Sequence, residues 1–369
     1  MNQDTDLTTP PVNLAFFRQM LDLDDDAPPH DVVTVAGRTS HALRSLVMTA
    51  AAREGVVGTG STDELQRLAK RLAFYARVQQ TAEQLGAQPI KGFTLAAWYP
   101  DDLPRPMSDL DLVVPDPACL WRVVSALAVE YGPQEMDVTM LGYEAQHFVV
   151  NLSWPGADPL LDRETHVEIT TCALTGDQGA VPLRPCLPDD PVAAGLLAVA
   201  EERFQRPFNA KDVVDVMMTL RPGCDVDVHQ LASLADEFHL APELLELLRL
   251  WANVDETSAS HFHMLLMALD LAAAREARRR AEWLGEDDGP AGPSDPRTLR
   301  YGMRLTSVAC GPRPGRAPDA AAQCDFEGGT LLLTPVADFL LVTGELVDPE
   351  LYSAALTALA DLRPGHRGH

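Results

Sequence analysis

The stretch KGFTLAAWYPDDLPRPMSDLDLVVPD, residues 91–116, carries the groups of this chain whose types and spacing invite chemistry. Its centre reads Ser108-Asp109-Leu110-Asp111-Leu112-Val113-Val114. Alternate side chains of a strand share a face, so Asp109 and Asp111 point one way while Leu110, Leu112 and Val114 point the other. Two carboxylates this close repel one another unless a cation lies between them. A hard divalent ion such as Mg2+ takes oxygen ligands and keeps substrate phosphates in its shell. Two-metal phosphoryl chemistry calls for a third acid. The segment Thr165-His166-Val167-Glu168-Ile169 offers Glu168, which alternates with His166 on a strand of similar texture. The plainer reading of all three acids is a solvated strand face.

The cations are as selective as the acids. Lysine occurs only at Lys70, Lys91 and Lys211; elsewhere the chain uses arginine. Lysine is a compact point charge and arginine a planar fork, so a retained lysine points to a specific role. Lys91 either binds phosphate or solvates a helix start. Arg105 either clamps a triphosphate bidentately or pairs with Asp101 or Asp102 on the surface. Ser108 donates to a phosphate or caps the strand. Lys211 and Asp212 open a helix after Arg206-Pro207-Phe208-Asn209, whose plainer reading is an exposed first turn. His147 and His166 read as hydrogen-bonded scaffold, and the basic helical end REARRRAEWL as a solvated turn or as a neutraliser of an acidic neighbour or an anionic substrate.

In combination these residues resemble the uncharacterised nucleotidyltransferase family of the DNA polymerase β superfamily. Its members show Lys-Gly, Tyr-Pro, an Arg, Asp-x-Asp with apolar residues after it, and a later acidic strand. Lys91, Gly92, Tyr99, Pro100, Arg105, Asp109 and Asp111 stand at those positions. The match is good over 88–115, moderate over 145–171 and loose over the helical segment NAKDVVDVMM. Two departures stand out. The wider superfamily opens with Gly-Ser or Gly-Gly where this chain has Lys-Gly, and Glu168-Ile169 replaces the Asp and the following His of many relatives. The resemblance implies a small mixed sheet, with a nucleotide against the helix after Gly92, where backbone amides receive phosphate oxygens. It implies Asp109, Asp111 and Glu168 as catalytic residues and Mg2+ ligands, with Lys91, Gly92, Arg105, Ser108 and Lys211 binding the NTP, ATP first among the four. The reaction implied is transfer of NMP from an NTP to a hydroxyl or similar acceptor on a small molecule, peptide or protein. The competing reading is a catalytically silent, antitoxin-like module of the same fold that senses nucleotide or binds a partner.

The bulk properties narrow the partners. A formal net charge of −25 repels a phosphate backbone, which disfavours nucleic acid and favours a cationic acceptor such as an aminosugar. No apolar run is long enough to predict a membrane span. The N-terminal MNQDTDLTTPPVN lacks a signal-peptide pattern, so the expected compartment is the cytoplasm. Six cysteines without a Cys-x-x-Cys pair predict free thiols that mostly pack.

The elements that must position these groups predict an α+β fold. Residues 1–86 read as an N-terminal helical region, disordered over 1–11, with a long helix opened by a Ser61–Glu64 capping box. Residues 87–175 read as the nucleotidyltransferase-like core, a small mixed sheet. Residues 188–286 read as a helical domain and 287–298 as a linker. Residues 299–369 read as a small C-terminal α/β module that stands apart or completes the earlier sheet.

Overall fold

The computed structural model describes residues 12–362 apart from 143–145, 178, 222–223, 225, 287–298, 306–310, 312, 314 and 345–346. The expected disordered tail and the expected linker lie outside the described residues. The chain is mixed α/β. Helices α1 (Leu14–Met20), α2 (Pro29–Thr39), α3 (His41–Arg53) and α4 (Thr59–Glu83) come first. Then follow β1 (Gln88–Pro89), α5 (Gly92–Ala96), β2 (Asp109–Val113), α6 (Pro117–Tyr131), β3 (Glu135–Leu141), β4 (His147–Trp154) and β5 (Thr165–Thr170). A second helical run holds α7 (Pro191–Glu201), α8 (Ala210–Thr219), α9 (Val228–Glu237), α10 (Ala241–Val254), α11 (Glu256–His261) and α12 (His263–Glu286). Strands β6 (Leu299–Arg304), β7 (Ala322–Phe326), β8 (Gly329–Leu333) and β9 (Asp338–Val342) and helix α13 (Pro349–Asp361) close the described chain.

These elements build two compact units: residues 1–74, 90–108 and 174–288 form the first, and 75–89, 109–173 and 289–369 the second. The units do not follow the expected segments one for one. Residues 75–86 fall with the sheet, 90–108, with Lys91 and Arg105, fall with the helices, the two expected helical segments share one unit, and the C-terminal segment falls with the sheet.

The second unit is a nine-stranded mixed sheet in the order β1-β2-β5-β4-β3-β6-β9-β8-β7. β2 and β5 run parallel, whereas β3, β4, β6 and β9 meet their neighbours β4, β5, β3 and β6 antiparallel. One face is apolar: Leu110, Leu112, Met136, Val138, Val150, Leu152, Val167 and Ile169 are buried there. Helix α6 packs on β4 and β5 through Trp121, whose ring meets Phe148 edge-on at 5.8 Å. Local chemistry sets its limits. The Asp116 side chain accepts from the Cys119 amide at the N-cap, Pro117 takes the first turn, and Gly132 ends the helix at φ 56°.

The C-terminal strands extend this same sheet, because β6 pairs with β3 through Thr139–Tyr301, Met140–Arg300 and Leu141–Leu299. β6 lies earlier than the segment RLTSVAC, which reads as a strand from its β-branched residues and whose residues 306–310 are outside the described set. β7 was not expected from its sequence; Ala-Gln-Cys-Asp-Phe has little β-branched content, and its hairpin pairing with β8 makes it a strand. Leu305, Leu331, Leu340, Ala355 and Leu359 form a local core beneath α13.

The first unit buries a continuous helical core that includes Phe17, Leu43, Leu46, Leu196, Val213 and Trp251. Two sequence expectations fail here. The segment DDDAPPHD reads as a breaker, yet α2 starts inside it at Pro29, since proline suits a first turn whose amide has no helical partner. The Ser61–Glu64 capping box is not formed. Ser61 bonds to Gly58 at 2.9 Å, and Glu64 is buried against His41 at 3.0 Å and Arg67 at 2.6 Å. The formed capping box is Asn209–Asp212, at the start of α8.

Since β3 uses β6 as its neighbour, a chain ending at residue 298 exposes the β3 edge and loses the core under α13. Such a truncation is expected to aggregate or to lose its cooperative melt in calorimetry. A separable module would leave the melt of the remainder intact.

Candidate functional site

In the sheet unit, the parallel pairing of β2 with β5 sets Asp109 beside His166 and Asp111 beside Glu168. Neighbouring strands lie about 4.8 Å apart and partners in register project to the same side. Glu168, distant in sequence, is therefore the nearest cross-strand neighbour of Asp111. The strip continues sideways: Ser153 pairs with His166 and Asn151 with Glu168, then Glu135 with Ser153 and Asp137 with Asn151. This is the face opposite α6. Asp109, Glu135 and Asp137 are exposed, His166 and Glu168 half-buried, and Asp111 is buried at 8% exposure. Ionised carboxylates on adjacent strands in register repel one another, and a cation beside them offsets that repulsion. Such a pair favours a cation.

His147 behaves as scaffold; its Nδ1 donates to the Thr171 carbonyl at 3.2 Å. His166 shares a 2.9 Å hydrogen bond between its Nδ1 and the Ser153 Oγ, and its Nε2 lies 3.8 Å from Glu164. Among the described residues, no three His, Cys, Asp or Glu side chains converge as a formed metal cage. What suits a hard ion such as Mg2+ is the oxygen-rich donor set and the backbone register, which aligns Asp109, Asp111 and Glu168 on one side.

The helical unit holds the cations. Lys91 precedes α5 at φ 51°, ψ −108°, a region an L residue occupies at a cost on the order of 1–3 kcal/mol. Gly92 has no room for a side chain: a Cβ there would lie 2.9 Å from the Arg105 Nη1 and 3.0 Å from the Met107 Sδ. Helix α5 is five residues long, shorter than GFTLAAWY leads one to expect, and offers a correspondingly small dipole. The packing around Gly92 therefore explains the glycine without a phosphate. Ser108 is exposed and directly precedes β2.

Arg105 reaches neither solvent nor Asp101 or Asp102. Its Nε and Nη2 donate to the two carboxylate oxygens of Asp215 at 2.7 and 2.8 Å, with 6% exposure. Tyr99 donates to the same carboxylate at 2.6 Å, and the Lys211 Nζ lies 3.2 Å from it. Asp102 instead pairs with Arg53 at 2.9 Å. The expected triphosphate clamp at Arg105 is thus replaced by a sealed pair, because α8 presents a buried carboxylate of the right shape. Burial alone would raise the Asp215 carboxyl, but Arg105 and Lys211 hold it well below the usual carboxylate range. Burial and the nearby Arg105 push the Lys211 ammonium down.

A second carboxylate meets the remaining cations. The Lys91 Nζ is 3.2 Å from the Glu202 Oε1, and the Arg206 Nε is 3.7 Å from its Oε2. Arg206 also forks onto Asp212 at 2.7 and 2.9 Å. Burial works against the Glu202 charge, but Lys91 and Arg206 lower its carboxyl from the ordinary value. Its neighbour Glu201 is 4% exposed and accepts from the Gly176 amide at 2.8 Å. Burial pushes that carboxyl up to about 7, despite Lys91. Sequence reading missed Glu201, Glu202, Arg206 and Asp215. One signal was available, since Asp215 follows Lys211 by one helical turn inside an otherwise apolar run.

Compared with known proteins, the chain matches no family model, no curated protein and no solved structure. Among the described residues no helix is long and apolar enough to cross a membrane.

Two outcomes follow for stability. Asp215→Asn leaves Arg105 buried without its counter-charge and is expected to cost about 3–5 kcal/mol in chemical denaturation. Glu201 gives a pH dependence of definite sign. Between the ordinary value of 4.5 and about 7 the folded carboxyl keeps a proton that the unfolded one has lost, so stability falls as pH rises through that window. The drop attributable to Glu201 is on the order of 3 kcal/mol. Melting curves from pH 4 to 8 are expected to be flatter for Glu201→Gln, whose amide oxygen still accepts from Gly176.

Proposed function

We propose that this chain is a nucleotidyltransferase, moving NMP from an NTP to a hydroxyl or similar acceptor on a small molecule, peptide or protein. The observation that carries the reading is the register of β2 against β5, with Asp109 and Asp111 alongside His166 and Glu168 on one sheet face. The same residues carry the likeness to the uncharacterised nucleotidyltransferase family.

In this reading Asp109, Asp111 and Glu168 would hold Mg2+, which when bound would supply positive charge against the phosphate oxygens. The rest falls to the chain itself. Lys91, Lys211 and Arg206, all within the helical unit, are cations of the kind that offset the charge of a polyphosphate. Within the helical unit, the sealed Tyr99–Arg105–Asp215 group fixes Lys211. The acceptor hydroxyl gives up its proton to solvent water, its oxygen bonds to the α-phosphorus, and the α–β phosphoanhydride bond breaks, its electron pair leaving on pyrophosphate. Exposed Glu135 and Asp137 on the same strip favour an acceptor that carries an ammonium group, in keeping with the net charge of −25.

Calorimetric titration with ATP, GTP, CTP and UTP, with and without Mg2+, tests this. Wild type is expected to bind one or more NTPs only with the metal. Asp109→Asn and Asp111→Asn are each expected to weaken that binding at least about tenfold, or 1.4 kcal/mol. A folded wild-type protein that binds none of the four contradicts the reading and favours the silent, partner-binding module.

A further inference from the structure

Glu202 is gripped by charges from three separate segments of the helical unit. Lys91 comes from the turn before α5, Arg206 from the loop after α7, and Lys211 from the first turn of α8. Lys91 and Arg206 approach opposite oxygens of the carboxylate at 3.2 and 3.7 Å, and Lys211 adds to the field that keeps it ionised. The neighbouring Asp215 carboxylate is held in a similar way but is fully sealed at 0% exposure. Glu202 is not sealed: its side chain is 22% exposed, beside Lys91 at 19% and Arg206 at 37%. One carboxylate of the network is thus locked inside and the other is reachable from solvent.

When Glu202 leaves, Lys91 and Arg206 each lose a carboxylate oxygen they approach directly, while Arg105 and Lys211 keep Asp215, Arg206 keeps Asp212, and burial opposes the ionisation of nearby Glu201. Lys211 is already pushed towards losing its proton by burial and by Arg105, which marks a place where a further anion is electrostatically wanted. A phosphate group offers these cations more negative charge and more acceptor oxygens than a carboxylate does.

We infer that Lys91, Arg206 and Lys211 form a polyphosphate-binding site that Glu202 occupies as an internal stand-in until the ligand displaces it. Identifying the natural anion as the triphosphate of an NTP rests on the nucleotidyltransferase reading; the displacement itself does not. A stand-in of this kind lowers apparent affinity by the fraction of time the site is free. A carboxylate in place nine-tenths of the time costs about tenfold. It also keeps three cations from repelling one another while no ligand is bound.

The test is calorimetric titration with sodium tripolyphosphate in metal-free buffer. Glu202→Gln is expected to bind about tenfold more tightly than wild type. Lys91→Ala placed in the Glu202→Gln background is expected to remove that gain. Should Glu202→Gln lose its cooperative melt, Glu202→Asp, one methylene shorter and less able to reach both cations, is expected to tighten binding as well. A folded Glu202 variant that binds no more tightly than wild type overturns the inference. So does a gain that survives Lys91→Ala, or the absence of binding in wild type and variants alike. The probe has no nucleoside and the buffer no metal. Failure here therefore leaves Mg2+-dependent NTP binding standing, and failure of NTP binding leaves this result standing.

Discussion

The parallel pairing of β2 with β5 is the constraint on which the sheet unit turns. A parallel pair cannot be closed by a tight turn, so the chain needs a long connection between the two strands. Here that connection is α6 and the β3–β4 hairpin, and both are put to use. The helix covers the apolar face, and the hairpin extends the polar face with Asn151, Ser153, Glu135 and Asp137. Burial of Leu110, Leu112, Val167 and Ile169 holds the register. A slip of β2 by one residue would turn Asp109 and Asp111 towards the apolar side, and one of β5 would turn Glu168, so the core that fixes the pairing also fixes the acids side by side.

The helical unit solves a different electrostatic problem. It takes several charges out of water and pairs each with a partner from another segment. Arg105 and Asp215, together with Tyr99, are sealed. Removing one partner of such a pair is far more costly than the pair itself is worth, which makes it a device for positioning rather than a source of stability. Beside it, Glu202 and Glu201 show how burial and neighbours separate two adjacent carboxyls. The cations at Glu202 favour its charge, whereas the apolar surroundings of Glu201 suppress it. The lysine singled out by composition, Lys91, touches the first and is felt by the second.

Much of this was legible in the sequence where the signal is local. Alternation and β-branched content give β2, β3, β4 and β5, and the apolar periodicity gives the second helical run. The pairing of Asp111 with Glu168 was anticipated only as a matter of residue type; its register depends on how the sheet closes. Arg105 shows the limit most clearly. Its partner Asp215 lies 110 residues away, and nothing near Arg105 distinguishes a buried ion pair from a phosphate clamp. Helix α2 was hidden because proline is both a breaker and a good first-turn residue. The place of the C-terminal strands depended on the free edge of β3, which a one-dimensional reading does not reveal.

The most direct test of the central claim, that the β2–β5 register aligns acids for a cation and a nucleotide, is anomalous diffraction from a crystal soaked with Mn2+ and a non-hydrolysable ATP analogue. The account predicts a manganese peak bounded by Asp111 and Glu168, with Asp109 as the further carboxylate. A crystal with bound nucleotide whose manganese lies away from these residues, or which holds none, would contradict it.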